Sequence, residues 1–351
     1  MAKLESNTLW KKLITIGVLL SAVAFTFIML LTILIYKGFL GPLPSYEELR
    51  NIRNHTATEI YDRGGILIGR YYAENRINAN DDEISDIVRN TLVATEDARY
   101  FNHKGIDLRA WVRVFVKSIL FSDSSSGGGS TLSQQLAKNL FPREEYYLLS
   151  LPINKIREMF TAVRLERTYS KDDLLKLYLN TVPFSDNIYG IKTAAERFFN
   201  KAPGDLTYEE ASVLIGMLKA NTAYNPVRNP DRALSRRNIV IGQLYKFGYI
   251  SAEEKDSLVK KPLELNYRDE NTSRSFAGYL KSHLQPEVQK VLKTLKKENG
   301  GQYDLYRDGL KIYTTISATM QRHAEQAVQQ HMRFLQSELV KEWEGENQHW
   351  K

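Results

Sequence analysis

The most pronounced hydrophobic pattern in the chain is an uncharged run of 24 residues at positions 13–36. As a helix the run would extend ~36 Å at ~1.5 Å per residue, enough to cross the ~30 Å hydrocarbon core of a bilayer. It is longer than the apolar part of a typical cleaved signal peptide, and no small-residue cleavage site follows it. The run therefore predicts an uncleaved transmembrane helix. Lys3, Lys11 and Lys12 precede it, which favours an N-terminus in the cytoplasm and the rest of the chain outside.

Beyond this run the pattern becomes that of a globular domain. Glycine and proline between residues 38 and 54 predict a linker, and residues 59–70 predict a β-hairpin. From about residue 79 to 260 the apolar residues recur at helical spacing, first on a face that ends near Glu96. Capping boxes mark three further helix starts, at Ser170, Thr207 and Ser251. These patterns predict a mainly α fold, followed by a strand over 310–315 and a helix over 319–343.

Composition and charge narrow the chemistry. The chain has no cysteine, which excludes disulfides, thiolate metal sites and a cysteine nucleophile. The formal net charge of +7 favours an anionic partner, either lipid headgroups or a pyrophosphate. The sequence contains no zinc-finger spacing, basic-zipper heptads or RNA-binding aromatic signature, so no nucleic-acid partner is expected. No organic cofactor is expected either.

The first candidate cluster contains Glu96, Asp97, His103 and Gly105, at the end of the first predicted helix of the domain. A carboxylate at the edge of a core is partly desolvated, which suits a general base. The alternative is a surface pair of carboxylates beside a structural histidine.

The second cluster is a run of glycines at 127–129 that leads into a helix. Free backbone N–H groups and the positive end of the helix dipole would point at one spot, which favours an anion. Hydroxyl, amide and ammonium groups suited to a pyrophosphate and a sugar follow along one helix face: Thr131, Gln134, Gln135 and Lys138. The residue order of a P-loop is absent. The alternative is a mobile Gly/Ser loop over 122–129 and an ordinary polar helix face.

The third cluster pairs Lys155 with Glu158 on another predicted helix. The two residues are three positions apart, so their side chains face the same way. The pair is either a helix salt bridge or a second active-site carboxylate with a cationic neighbour.

Together these clusters resemble the motifs of the family 51 glycosyltransferases, the peptidoglycan polymerase domain of class A penicillin-binding proteins. The resemblance runs from about residue 59 to 250. It covers five motifs in the family's order, at residues 96–105, 128–139, 155–158, 175–190 and 210–226. The resemblance implies a lysozyme-like, mainly α glycosyltransferase domain behind the predicted transmembrane helix.

The resemblance also implies an organisation for the whole chain. The expected segments are a cytoplasmic tail (1–12), a transmembrane helix (13–36), a linker (37–55), a glycosyltransferase domain (56–250), a linker region (251–308) and the start of an incomplete transpeptidase module (309–351). A transpeptidase needs SxxK, SxN and K[ST]G in that order. Ser257-Leu-Val-Lys260 and Ser185-Asp-Asn187 occur in the reverse order and K[ST]G is absent, so no acylation by penicillin is expected.

The implied activity is the inverting polymerisation of lipid-linked disaccharide (lipid II) into β-1,4 glycan, with release of polyprenyl diphosphate. Glu96 would be the general base. Glu158 would assist at the donor pyrophosphate through a divalent metal, Mg or Mn, to which Glu96 could also bind. Lys138 and Lys155 would stabilise the departing pyrophosphate. The further substrate-binding residues would be Asp97, His103, Ser130, Thr131, Gln134, Gln135, Asn139 and Asn187. The expected partners are lipid II, the growing glycan, membrane lipids and other cell-wall synthesis proteins, at the cytoplasmic membrane.

Four positions depart from the family pattern. Asn154 stands where arginine is usual and so removes one cation, Ser185 replaces glycine, Tyr100 replaces phenylalanine and Asn221 replaces proline. None of them removes a carboxylate. Glu210 in the fifth motif is expected to be structural, because a capping box already explains it.

Residues 140–152 mix aromatic, leucine and charged residues, which predicts a segment that enters the membrane interface. The alternative is a hydrophobic patch packed on the body of the domain. Two other functions stay open on the sequence. One is a lytic muramidase, which would not need the pyrophosphate cluster, and the other is an inactive scaffold of a wall-synthesis complex.

Overall fold

The computed structural model describes residues 2–112, 129–147, 149–185, 187–268, 278–297 and 300–345. Most of the regular structure in these residues is helical, so the prediction of a mainly α fold is confirmed. The chain divides into two compact units. Unit 1 comprises residues 1–53, 89–182 and 246–249, and unit 2 comprises residues 54–88, 183–245 and 250–351. The stretch predicted as one glycosyltransferase domain, 56–250, is thus shared between two units.

Unit 1 consists mainly of helices. Those in its described part are α1 (Ala2–Tyr36), α2 (Tyr46–Arg50), α3 (Asp86–Glu96, which begins in unit 2), α4 (Leu132–Leu140), α5 (Ser150–Thr168) and α6 (Lys171–Thr181). Helix α4 packs against both α5 and α6. Glu166 of α5 joins the three, because its carboxylate accepts hydrogen bonds from Ser133 of α4 at 2.6 Å and from Lys171 of α6 at 2.7 Å.

Helix α1 contains the one described segment, Thr15–Tyr36, that is long and apolar enough to cross a membrane. Most of its apolar side chains are exposed. Near its C-terminal end, however, Leu31 and Ile35 are buried in a cluster with Ile153 of α5, and Phe160 packs against the same cluster. The end of α1 is therefore attached to the helix that carries the third sequence motif.

The segment after α1, predicted as a linker, is docked on α5. The Arg157 guanidinium donates hydrogen bonds to the backbone oxygens of Leu40 at 2.7 Å and Pro42 at 3.1 Å. Gly41 between them has a φ of +86°, and a Cβ there would lie 2.6 Å from Nη1 of Arg157. A side chain at this position would strain the left-handed backbone and displace the Arg157 guanidinium, and the short helix α2 follows within the same segment.

Unit 2 combines two small sheets with helices. Its described strands are β1 (Thr58–Tyr61), β2 (Leu67–Tyr71), β3 (Asn75–Arg76), β4 (Pro183–Ser185), β5 (Ile188–Tyr189) and β6 (Lys311–Tyr313). Its described helices are α7 (Ile191–Phe199), α8 (Tyr208–Met217), α9 (Pro230–Lys246, whose last residue belongs to unit 1), α10 (Ala252–Lys260), α11 (Gly278–Thr294) and α12 (Ala318–Gly345).

The predicted local elements of unit 2 are confirmed. Strands β1 and β2 form the antiparallel hairpin, and β6 adds to β1 in parallel, so the first sheet has the order β2–β1–β6. At the hairpin turn, Oδ1 of Asp62 accepts the backbone N–H groups of Gly64 and Ile66. The capping boxes at Thr207 and Ser251 open α8 and α10. The second sheet has the order β3–β5–β4.

Gly105 in unit 1 packs closely against helix α5, and a substitution tests this contact. Its φ is +93°, and a Cβ there would lie 3.0 Å from backbone atoms of Ala162 in α5, whereas Gly65 has a φ of +81° with nothing within 4 Å. Gly65→Ala should therefore cost about 1–2 kcal/mol from the left-handed backbone alone. Gly105→Ala should lower the melting temperature further, by roughly 5 °C or more, because the helix backbone would have to move. Thermal unfolding followed by circular dichroism measures both shifts, and equal shifts would contradict the close packing on α5.

Candidate active site

Asp97 connects the first motif to the second. Its buried carboxylate lies with Oδ2 3.0 Å from Nε2 of His103, and the same oxygen accepts the backbone N–H of Leu132 at 3.0 Å. Leu132 is the first residue of α4, so the carboxylate lies at the positive end of that helix. Asp97 thereby fixes both the histidine and the start of α4.

Thr131 makes the second connection between the same two motifs. As the N-cap of α4, its Oγ1 accepts the backbone N–H of Gln134 at 3.2 Å and donates to the backbone oxygen of Gly105 at 2.7 Å. The carboxylate of Asp97, Nε2 of His103 and the hydroxyl of Thr131 thus bind protein atoms, and the predicted contacts of these residues with substrate stay predictions.

Glu96 is the last residue of α3 and is half-buried. Its Oε2 accepts a hydrogen bond from Nε2 of Gln135 in α4 at 3.0 Å, and Oε1 of Gln135 accepts the hydroxyl of Tyr178 in α6 at 2.8 Å. The other oxygen, Oε1 of Glu96, has no hydrogen-bond partner among the described residues. One oxygen is held, and the other is available to take a proton.

Gln134, the other amide of the pair, is fully buried. Neither its Oε1 nor its Nε2 has a hydrogen-bond partner within the described part of the chain. The sequence placed both glutamines on a substrate-facing surface of the helix. In the structure Gln134 is enclosed and Gln135 binds Glu96, and their predicted contacts with the donor stay predictions.

Glu158 lies between two cations. Its side chain is only 6% exposed. Oε1 accepts a hydrogen bond from Nε of Arg143 at 2.8 Å, and Oε2 accepts one from Nζ of Lys155 at 3.1 Å. Lys155 also donates to the hydroxyl of Ser130, just before α4, at 2.8 Å. Lys155 and Glu158 therefore meet as their spacing predicted, and they join the second motif to the third.

Sequence reasoning missed Arg143. It lies in the loop between α4 and α5, 15 residues from Glu158, and no helical spacing connects the two positions. The available signal was indirect, because a buried carboxylate requires compensation by nearby cations. The structure thus brings a second cation to the site from a loop that the sequence predicted either to enter the membrane interface or to pack on the domain.

Asn154 explains how that loop is held. Only 4% exposed, it donates from Nδ2 to the backbone oxygens of Glu144 at 2.7 Å and Ser150 at 2.8 Å, and its Oδ1 accepts the backbone N–H of Glu144 at 3.2 Å. Glu144 is the neighbour of Arg143. The expectation that Asn154 simply removes a cation was therefore incomplete, since Asn154 fixes the loop that supplies one.

The predicted divalent metal finds little support in the residues present. Each oxygen of Glu158 already accepts a hydrogen bond from a cationic side chain. No group of three or more His, Cys, Asp or Glu residues suited to a metal occurs in the described ranges. Magnesium is usually bound by one or two carboxylates together with waters and substrate phosphates. The two cations occupy both carboxylate oxygens of Glu158, which disfavours a metal there in this arrangement, and the metal stays a prediction.

The remaining predicted site residues are dispersed. Lys138 and Asn139 are exposed near the C-terminal end of α4, and Lys138 has no partner among the described residues. Asn187 belongs to unit 2, where it is exposed with a φ of 53° at the turn between β4 and β5. Asparagine tolerates this left-handed conformation, which gives it a local structural role. The glycines at 127 and 128 and most of the Gly/Ser loop, 122–128, lie outside the described residues.

Two further departures from the family pattern, Tyr100 and Ser185, have hydrogen-bond partners in the structure. The Tyr100 hydroxyl, absent from phenylalanine, donates to the backbone oxygen of Lys171 at 2.9 Å. The Ser185 hydroxyl accepts Nδ2 of Asn225 at 2.8 Å. Glu210 completes the capping box at the start of α8, as expected of a structural residue.

Comparison with known proteins identifies the family. The family model for transglycosylases matches residues 64–245. The chain belongs to the transglycosylase family. The match includes the Glu96, Gln135 and Glu158 positions described above.

This transglycosylase is similar to several penicillin-binding proteins. It is 34% identical to penicillin-binding protein 1A of Escherichia coli over 294 residues, which is 84% of this chain and 33% of that protein. It is 37% identical to penicillin-binding protein 1A/1B of Bacillus subtilis over 285 residues, 79% of this chain and 29% of that protein. It is 34% identical to penicillin-binding protein 1A of Aquifex aeolicus over 322 residues, which is 91% of this chain and 41% of that protein. The chain thus spans about a third of the length of the curated relatives it matches.

Among solved structures, the transglycosylase is similar to the crystal structure of penicillin-binding protein 1A from Haemophilus influenzae. The TM-score is 0.41 at 20% identity, covering 76% of this chain and 28% of that chain.

The role of Asn154 can be tested by restoring the residue usual in the family. Asn154→Arg should destabilise the protein by roughly 2 kcal/mol, because it removes hydrogen bonds to Glu144 and Ser150 and places a charge at a buried position. Asn139→Arg, at an exposed position of the same unit, is the matched control and should have little effect. Thermal unfolding measures both. A variant Asn154→Arg as stable as the control would mean that Asn154 does not hold the loop.

Proposed function

We propose that this transglycosylase is a peptidoglycan glycosyltransferase, which polymerises lipid II into β-1,4 glycan and releases polyprenyl diphosphate. The observation that carries the proposal is the attachment of two acidic groups to one short helix. Gln135 of α4 binds Glu96, and Ser130, just before α4, binds the Lys155 that pairs with Glu158. A proton acceptor and a cationic cluster are thus held by the same segment.

Glu96 would act as the general base toward the acceptor. Its free Oε1 would take the proton from the 4-hydroxyl of the acceptor sugar as that oxygen forms a bond to the anomeric carbon of the donor. The bond from this carbon to the diphosphate would break on the opposite face. Attack opposite an α-linked leaving group gives a β-linkage, as in inverting glycoside chemistry.

The cations around Glu158 would stabilise the leaving group. Negative charge builds on the diphosphate as its bond to the sugar breaks, and fixed cations lower the barrier to that step. Lys155 and Arg143, both partly exposed, would supply this charge, with Lys138 as a third cation. Glu158 would hold the first two in position. Asp97, His103 and Thr131 would support the site by fixing the start of α4.

The proposed membrane location rests on helix α1, which belongs to unit 1. We propose that Thr15–Tyr36 anchors the chain in the cytoplasmic membrane as a single span, with the N-terminus inside because Lys3, Lys11 and Lys12 precede it. The end of this helix packs on α5, which carries Lys155 and Glu158. The site would then face a lipid-linked substrate. Other cell-wall synthesis proteins stay predicted partners.

Incubation with lipid II and electrophoresis of the product tests the function. The wild-type protein should form glycan polymer, and Glu96→Gln should reduce the rate by about 10²–10⁴-fold, as expected for loss of a general base. Glu47→Gln, an exposed acid in α2, is the control and should retain full activity. Equal rates for wild type and Glu96→Gln would exclude Glu96 as the base.

The same assay separates the alternative functions. Cleavage of finished glycan without polymerisation of lipid II would indicate a muramidase. No activity on either substrate would indicate a scaffold. Parallel reactions with a chelator and with added Mg²⁺ or Mn²⁺ test the predicted metal.

The interface segment gives a separate prediction. Leu151 is 71% exposed and Leu149 is partly exposed, while Leu148 lies outside the described residues. The double variant Leu149→Glu/Leu151→Glu should slow turnover of lipid II in vesicles by roughly tenfold, because charge is unfavourable in the apolar interface. Turnover of a short-chain analogue in solution should not change. Ile239→Glu, at an exposed position of unit 2, is the control. Unchanged turnover in vesicles would contradict the interface assignment.

A further inference from the structure

We infer that Tyr178 is a positioning residue for Glu96, acting through the side-chain amide of Gln135. The inference rests on the proposed function, in which Glu96 is the general base. The three side chains form a single hydrogen-bonded row, from the Tyr178 hydroxyl to Oε1 of Gln135 at 2.8 Å and from Nε2 of Gln135 to Oε2 of Glu96 at 3.0 Å.

Tyr178 is a fixed point at the far end of this row. Its side chain is buried within unit 1, with 2% exposure, on the inward face of α6. Burial and the nearby Glu96 carboxylate raise the pKa of the Tyr178 hydroxyl well above its ordinary value, so the group stays protonated. A buried hydroxyl that keeps its proton requires an acceptor. Among the described residues that acceptor is Oε1 of Gln135.

This requirement fixes the direction of the glutamine amide. If the amide of Gln135 turned over, its NH₂ group would face the tyrosine and could not accept the buried proton. Its oxygen would then face the Glu96 carboxylate, which is also an acceptor when ionised. Both contacts would be lost together. The tyrosine therefore holds the NH₂ group toward Glu96, in the orientation that donates a hydrogen bond to Oε2 of the carboxylate.

The consequence for catalysis concerns the free oxygen of Glu96. With Oε2 held by Gln135, the carboxylate cannot rotate freely, and Oε1 points in a defined direction. Proton transfer depends steeply on such geometry, and small misplacements of a catalytic group reduce the rate strongly. The row also joins the end of α3 to α4 and α6, so the base is positioned by two neighbouring helices.

The test removes one oxygen atom. Tyr178→Phe keeps the buried ring and deletes the hydroxyl, and we expect kcat for glycan polymerisation to fall roughly tenfold while KM changes by less than about twofold. Tyr169→Phe is the matched control, because it deletes a tyrosine hydroxyl of the same unit that donates to the backbone oxygen of Leu49. That variant should keep the wild-type kcat. Thermal unfolding of both variants checks that they are folded.

A double-mutant cycle distinguishes positioning from general stabilisation. Gln135→Met removes the amide that connects the other two residues. If Tyr178 acts through Gln135, adding Tyr178→Phe to Gln135→Met should cause little further loss of kcat. Multiplicative losses in the double variant would overturn the inference, as would a Tyr178→Phe enzyme with wild-type kcat. A wild-type protein without polymerase activity would instead overturn the proposed function, and the positioning role with it.

Discussion

The site depends on the need of buried charged and polar groups for partners. An unpaired carboxylate or N–H group away from water is destabilising. The carboxylates of Asp97 and Glu96 and the hydroxyl of Thr131 are paired with protein atoms, whereas the buried amide of Gln134 has no partner among the described residues. Asp97 takes the first free backbone N–H of α4, Thr131 caps the same end and reaches Gly105, and Gln135 binds Glu96. The helix is short, yet these contacts fix its start and its direction. Glu96, the residue proposed for proton transfer, is positioned by it.

At Glu158 the same need for partners is met by positively charged side chains. Glu158 is buried and is compensated by two cations, Lys155 from its own helix and Arg143 from a loop. Asn154 holds that loop through backbone hydrogen bonds to Glu144, and the side chain of Glu144 pairs with Arg157 at 2.9 Å. Arg157 in turn binds the segment that leaves α1. A continuous set of polar contacts therefore runs from the exit of the apolar helix to the cations proposed for the leaving diphosphate.

The family match and the residue contacts establish different properties of the protein. The family match identifies the chain as a transglycosylase. The chain spans about a third of the length of its penicillin-binding relatives. The residue contacts show how this chain builds its own version of the site. Arg143 and Asn154 illustrate the difference, because the site keeps a second cation near Glu158 although the usual arginine is absent.

The sequence by itself determined the elements that arise from local physics. Hydrophobic length predicted α1, capping chemistry predicted the starts of α8 and α10, and the turn at Asp62 predicted the hairpin. Helical spacing also predicted that Lys155 and Glu158 meet, since three residues bring two side chains to one face. The order of the motifs was sufficient to indicate the family.

Only the tertiary structure decided which polar groups are enclosed and which protein atoms they bind. Thr131, Gln134 and Gln135 share a helix with Lys138, yet two of them are enclosed and the third binds Glu96, while Lys138 is exposed. Helical spacing defines a face but not what covers it. The contacts of Arg143 with Glu158 and of Tyr178 with Gln135 join separate elements, so no local pattern could predict them. They exist because packing α4 against α5 and α6 leaves buried polar groups that require partners from elsewhere in the chain.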